Sequence, residues 1–168
     1  WKEIDALAVS RRFAARSGGD LETTAASIRE RMAPRVWFVG GNEITAPQIE
    51  QSLDDALGHL EPHLGVRSYV LGERPSMADF GLWGQIYNAG RDPTAGAMIA
   101  KHPNVQAWIE RMLNPDVKGD FESWDRLAPT LVPLIKDQVG SLFLPWSVAN
   151  SVAIENGDDD FTLELKGN

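Results

Sequence analysis

The chain has 168 residues, and 43% of them are hydrophobic, which is enough to bury one sizeable core within the usual size of a single domain. Acidic residues outnumber basic ones by 24 to 16, and a net charge of −8 with scattered cations disfavours a nucleic-acid partner. The absence of cysteine excludes disulfides, thiolate nucleophiles and cysteine-ligated metals, and it is compatible with the cytoplasmic location that we expect.

The chain opens at Trp1 inside an amphipathic pattern and without a leader, as a fragment of a longer protein would. Helical periodicity follows, with one face formed by Leu21, Ala25, Ile28 and Met32, and a second by Ile49, Leu53, Leu57, Leu60 and Leu64. Thr45 and Gln48 have the spacing of a capping box at the start of the second helix, and Ile44 can staple onto Ile49. These patterns predict an all-α bundle.

Between these helices, residues 36–39 are strand-like but short and stop at two glycines, so a turn between helices fits them equally well, and we assign a loop. Further along, Pro103 begins an amphipathic helix that Asn114 and Pro115 end. Three prolines then predict that the apolar region after Leu127 is divided into short helices: Pro129, Pro133 and Pro145.

The longest uncharged stretch runs from Gln138 to Ile154 and contains a proline. It is shorter than the roughly 20 apolar residues that a membrane span needs. We therefore predict a buried helix pair here and no membrane partner.

The tail alternates apolar and polar residues, with Phe161, Leu163 and Leu165 on one side. This period predicts a strand that pairs either within this chain, with residues 36–39 as the internal candidate, or with a neighbouring chain. The alternative is a tail that remains irregular and mobile. Gly167 and Asn168 resemble the opening of a hairpin turn, which predicts that the tail is truncated.

The segment from Tyr69 to Asn88 contains the strongest local signal. Ser76 and Asp79 have capping-box spacing, in which the serine oxygen accepts the backbone N–H of Asp79 and the carboxylate accepts that of Ser76. The helix that follows is apolar nearly all round, which predicts a central position, with Gly81 and Gly84 allowing close approach of its neighbours.

The run "GERPSMADF" at this helix start resembles the N-capping box and hydrophobic staple of glutathione transferase C-terminal domains. The later "HPNVQAWIERM" is similar to the next recurrent segment of that family, and the resemblance covers roughly residues 45–168. It implies a glutathione-transferase C-terminal-type helical bundle over residues 1–156, followed by a strand-like tail over residues 157–168.

The resemblance also implies a function for the longer protein. In this family glutathione, as co-substrate, and the catalytic residue belong to an N-terminal thioredoxin-like domain, so no catalytic residue carries over to this chain. The helical domain contributes a wall of the second-substrate pocket, for a small electrophilic substrate, and part of a homodimer interface. By this reading the isolated chain is inactive. The alternative is a non-catalytic interaction or scaffold module of the same fold.

In the family the first helix lines the cleft toward the glutathione domain. Its candidate pocket residues here are Trp1, Arg11, Arg12 and Phe13. We interpret Trp83 and Trp108 as core residues because they lie at helical spacing.

His59 and His63 have the spacing of a two-histidine metal face, but Pro62 and the lack of a third ligand favour exposed residues near a helix end. The acidic run Asp158 to Asp160 lacks the alternating ligands of a calcium loop and is interpreted as a solvated turn. We therefore predict no metal site.

Overall fold

The computed structural model describes residues 2–17 and 20–167. Within these residues it contains eight α-helices: α1 (Glu3–Ala14), α2 (Leu21–Met32), α3 (Ala46–Leu64), α4 (Met77–Ala89), α5 (Pro93–Ile99), α6 (Pro103–Met112), α7 (Trp124–Leu134) and α8 (Leu144–Asn156). A 3₁₀ helix (Ala33–Val39) follows α2, and a π-helical segment (Ile135–Phe143) joins α7 to α8. The predicted all-α fold is confirmed.

The core forms where α3 packs against α6 and α7. Leu57, Leu60 and Leu64 supply the α3 face, and Trp108 on α6 is fully buried among them. This agrees with the predicted apolar face of α3 from Leu57 to Leu64, whereas Ile49 at its start is exposed, and it agrees with the core position of Trp108. Helices α1 and α2 form a hairpin that packs on the bundle through α5.

The start of α3 differs from the prediction, because Thr45 makes no side-chain cap. Its hydroxyl instead donates to the carbonyl of Gly40 at 2.6 Å, and the Asn42 side chain accepts the backbone N–H groups of Ile44 and Thr45. Asparagine outcompetes threonine here because its side-chain oxygen reaches amides two and three residues on. Both Ile44 and Ile49 are exposed, so no staple buries them.

Helix α4 is less central than predicted. Met77 and Phe80 are exposed, whereas Ile86 is buried. A Cβ atom built on Gly81 or Gly84 meets nothing within 4 Å, so neither glycine serves close packing. An apolar helix surface is therefore left facing outward.

The prolines after Leu127 do not divide the chain. Pro129 and Pro133 lie inside α7, and helical backbone angles continue through the π-helical segment into α8. A proline removes one backbone hydrogen bond. Here, the packing of α7 on α3 offsets that loss, and the wider π turn precedes Pro145. The expected buried helix pair is instead one helical run with many exposed apolar side chains.

The tail after Asn156 forms no strand within the described part of the chain, and residues 36–39 belong to the 3₁₀ helix rather than to a pairing partner. The predicted pairing between them is wrong. Leu163 and Leu165 are nevertheless half-buried, while Thr162 and Glu164 are exposed. The two-residue period therefore reflects side-chain burial without a β-ladder.

No helix among the described residues combines the length and apolarity needed to cross a membrane.

Candidate functional site

A groove of about 840 Å³ is lined by the 3₁₀ helix, the start of α3, α8 and the tail. Its apolar surface includes Trp37, Phe38, Trp146 and Phe161. The volume lies within the range of pockets that hold small organic molecules, and an aromatic lining is typical of such pockets. We call this concavity the tail groove.

Ser52, which lines the tail groove, joins α3 to the π-helical segment. The hydroxyl of Ser52 donates to the side-chain oxygen of Gln138 at 2.6 Å, and both residues are partly buried. Leu142, Trp146 and Asn150 recur at four-residue spacing, so one face of this helical run lines the groove.

The rim of the tail groove is acidic. Asp158, Asp159 and Asp160 line its edge and are all exposed, as expected for a solvated turn. Three neighbouring carboxylates create a negative potential that repels anions and attracts cations. The groove is therefore suited to an aromatic molecule that is uncharged or positively charged.

The candidate residues of the first helix lie elsewhere. Arg11 pairs with Glu22, and Arg12 donates to the Arg91 carbonyl at 2.8 Å and to the Asp92 carboxylate at 3.2 Å. Phe13 is 52% exposed. None of these three lines the tail groove, and Trp1 lies outside the described residues. In the structure, Arg12 connects α1 to the loop between α4 and α5 through these hydrogen bonds.

A second groove of about 620 Å³ lies between α4, α5 and α6. Its walls include Tyr87, Arg91 and Glu110. The Tyr87 ring stacks on Trp83 at 4.8 Å between centroids, and the guanidinium of Arg91 lies 5.9 Å from the Tyr87 ring centre. Because both neighbours contact Tyr87, its ring is a wall of the groove with little face available for a ligand.

The capping box that the sequence predicts is present at the start of α4. The buried carboxylate of Asp79 accepts the backbone N–H of Ser76 at 2.8 Å, and the Ser76 hydroxyl also donates to it at 2.7 Å. Its second oxygen accepts the backbone N–H of Val70 at 2.8 Å and the indole N–H of Trp108 at 3.0 Å. Asp79 thus ties the loop before α4, the start of α4 and helix α6 together.

The sequence gives no sign of the last two contacts. Residues 70 and 79 are separated by an irregular loop, and Trp108 is on another helix. A buried tryptophan needs an acceptor for its indole N–H, and this requirement is the one signal that could have suggested a partner. It does not identify which acceptor.

His63 corrects the prediction of an exposed helix end. It is buried, and its two ring nitrogens lie 2.8 Å from the Thr130 hydroxyl and 2.8 Å from the Val70 carbonyl. Helix α3 continues through Pro62 to Leu64, which carries the ring into the core. Burial lowers the pKa of His63, because the charged imidazolium loses its hydration. The two nitrogens thus join α3 to α7 and to the loop before α4.

His59 lies near the surface, 3.9 Å from the Asp137 carboxylate. Across residues 2–17 and 20–167, no group of three or more potential ligand side chains is arranged to hold a metal ion.

Residues 45–111 match the family described as Glutathione S-transferase, C-terminal domain. The chain is also similar to the protein named glutathione S-transferase stcT of Emericella nidulans, with 34% identity over 82 residues. The aligned region is 45% of this chain and 38% of that relative, so the chain spans well under half the length of the relative. No solved structure matches the chain. The matched region contains α3, α4, α5 and most of α6, with the capping box and the buried Asp79–Trp108 contact. Residues 45–111 of this chain are therefore similar to the C-terminal domain of glutathione S-transferases.

Proposed function

We propose that this domain contributes the second-substrate wall of a protein that conjugates glutathione to small electrophiles. The observation that carries the proposal is the tail groove, whose size and aromatic lining suit a flat apolar molecule. A thioredoxin-like domain would bind glutathione and would supply the residue that activates its thiol. The helical domain then orients the electrophile and excludes water from it.

The acidic rim narrows the substrate class. Asp158 to Asp160 favour electrophiles that are uncharged or cationic near the rim, and they disfavour substrates with a carboxylate or sulfonate there. Because these side chains are exposed, the preference weakens as salt is raised.

Apolar side chains on the outer surface of α1 and α2 support the proposed association with a second copy or with the thioredoxin-like domain. Ile4 and Phe13 are 59% and 52% exposed, and Leu21 and Met32 on α2 are also exposed. Several exposed apolar residues on neighbouring helices are typical of a surface that another protein covers. We propose a homodimer in which this hairpin takes part.

Substitution of one aromatic residue in the groove tests the proposal. Trp146 lines the tail groove, whereas Trp124 at the start of α7 is exposed to a similar extent and does not line it. Binding of the neutral fluorophore N-phenyl-1-naphthylamine should weaken severalfold in Trp146→Ala and stay unchanged in Trp124→Ala. Equal binding by both variants and the parent chain would remove the groove as the site.

Activity is tested in the natural protein that carries this domain, with glutathione and 1-chloro-2,4-dinitrobenzene. We expect conjugation, with a higher KM and a smaller change of kcat in Trp146→Ala. Conjugation unaffected by that substitution would contradict the assignment of the wall.

A second candidate is a non-catalytic interaction module. The observation in its favour is an exposed row on α8, formed by Leu144, Val148 and Val152, on the face opposite Trp146. A natural protein that binds neither glutathione nor N-phenyl-1-naphthylamine, and whose assembly with another protein is lost in Val148→Asp, would favour this candidate.

A further inference from the structure

We propose that residues 158–166 form a strap that closes one side of the tail groove, and that Lys166 is the positioning residue that holds the strap shut. This inference rests on the proposed function only for the identity of the ligand. The strap itself is inferred from how its two ends and its middle are held.

The first end of the strap is a helix C-terminus that reverses the chain. Gly157 has a positive φ of 75°, its N–H donates to the Ile154 carbonyl, and the Asp158 N–H donates to the Ala153 carbonyl. These two bonds form a Schellman motif, which needs a left-handed residue and so favours glycine. The turn sends the tail back over the groove that α8 lines.

The second end of the strap is held by ion pairs. The ammonium of Lys166 donates to the Asp137 carboxylate at 2.5 Å and lies 3.8 Å from that of Asp55. Asp137 belongs to the π-helical segment and Asp55 to α3, so one lysine joins the tail to both groove walls. The hydrogen bond from Lys166 lowers the pKa of Asp137, because it stabilises the ionised carboxylate.

The backbone at Lys166 supports the same assignment. Its φ of 50° lies in the left-handed region, which residues other than glycine rarely adopt. Such a conformation persists where the surroundings hold it. The two acidic partners supply that restraint.

The middle of the strap is attached through side chains. Phe161, Leu163 and Leu165 line the groove, whereas no main-chain hydrogen bond links residues 159–165 to another element in the described part of the chain. A segment held without a backbone ladder opens at low free-energy cost. Weakening its charged end should therefore open the strap while the bundle stays folded.

Loss of the Lys166 charge is the direct test, with Lys136 as a matched control. Lys136 is next to Asp137 on the π-helical segment, is exposed, and makes no salt bridge among the described residues. In the full 168-residue chain, chymotrypsin cleavage after Phe161 is followed by mass spectrometry of the released C-terminal peptide. We expect Lys166→Met to be cleaved about two- to fivefold faster than the parent, as fits the loss of a partly exposed ion pair.

Lys136→Met should be cleaved at the parent rate, and Lys166→Arg should restore most of the protection. Asp137→Asn should match Lys166→Met, and sodium chloride should speed cleavage of the parent more than that of Lys166→Met. Unchanged cleavage of Lys166→Met, or equal acceleration in Lys136→Met, would overturn the strap.

Ligand binding provides a separate readout. Binding of N-phenyl-1-naphthylamine should weaken less in Lys166→Arg than in Lys166→Met, because the strap supplies one wall of the groove. If the probe does not bind the parent chain, the proposed function fails, while the cleavage comparison still decides whether Lys166 holds the tail. If cleavage is unchanged and the probe binds, the strap fails and the proposed function stands.

Discussion

Replacement of Asp79 by alanine should destabilise the domain more than the loss of an ordinary helix cap does. The carboxylate is fully buried and accepts four hydrogen bonds, two from Ser76 and one each from Val70 and Trp108. Removing it leaves two deeply buried donors, on Val70 and Trp108, without an acceptor. A buried unsatisfied donor costs about 1 to 3 kcal/mol, and loss of a cap costs about 1 kcal/mol. We therefore expect Asp79→Ala to lower the free energy of unfolding by about 3 to 7 kcal/mol.

Urea denaturation followed by circular dichroism measures this loss. Asp125→Ala is the matched control, since Asp125 is an acidic first-turn residue of α7 that is exposed. Its loss should cost only about 0.3 to 1 kcal/mol through the helix dipole.

Two further variants separate the contributions of the Asp79 carboxylate and of the Trp108 indole N–H to the free energy of unfolding. Asp79→Asn keeps the shape and one acceptor oxygen, so it should lose less than Asp79→Ala. Trp108→Phe removes one donor, and its effect should be smaller in the Asp79→Ala background than in the parent. A loss below about 1 kcal/mol for Asp79→Ala, or additive effects of the two substitutions, would refute the network as described.

Three other outcomes follow from the same contacts. Burial lowers the pKa of His63 below its ordinary 6.5, so the unfolded chain binds its proton at higher pH. Unfolding free energy should be level above about pH 6.5 and fall as the pH drops below it, and urea titrations of His63→Gln should show a smaller fall. Glu61→Ala should cost about 1 to 2 kcal/mol in urea melts, because its carboxylate accepts the first backbone amides of α6, from Asn104 and Val105. Changing Asp158, Asp159 and Asp160 to asparagine should strengthen binding of the anionic fluorophore 8-anilino-1-naphthalenesulfonate in fluorescence titrations and leave N-phenyl-1-naphthylamine unaffected.

Local patterns predicted the helices and one of their caps. The face of α3, the bounds of α6 and the Ser76–Asp79 capping box involve residues within a few turns of each other, so spacing along the chain is sufficient. The cap of α6 could not be found this way. Its first amides bond to Glu61, which lies on α3 more than 40 residues earlier.

Burial was the least predictable property, because it depends on which elements meet. His63 was expected at the surface, yet the approach of α7 and the loop before α4 encloses it between Thr130 and Val70. Met77, on the helix that was expected to be central, is exposed, since α4 packs mainly on α6. Periodicity shows that a face is apolar, but it does not show what covers that face.

The tail has the two-residue apolar period that the sequence shows, but it forms no strand. The same apolar residues instead line the tail groove. An alternating apolar period implies two unlike sides, and a β-ladder is one way to satisfy it. Here, Leu163 and Leu165 use that period to face a groove between helices, while Lys166 closes the end of the segment through Asp137. Side-chain burial therefore replaces a strand partner. A wall attached in this way can move without breaking a sheet, which would suit the proposed substrate groove, because a ligand has to enter and leave it.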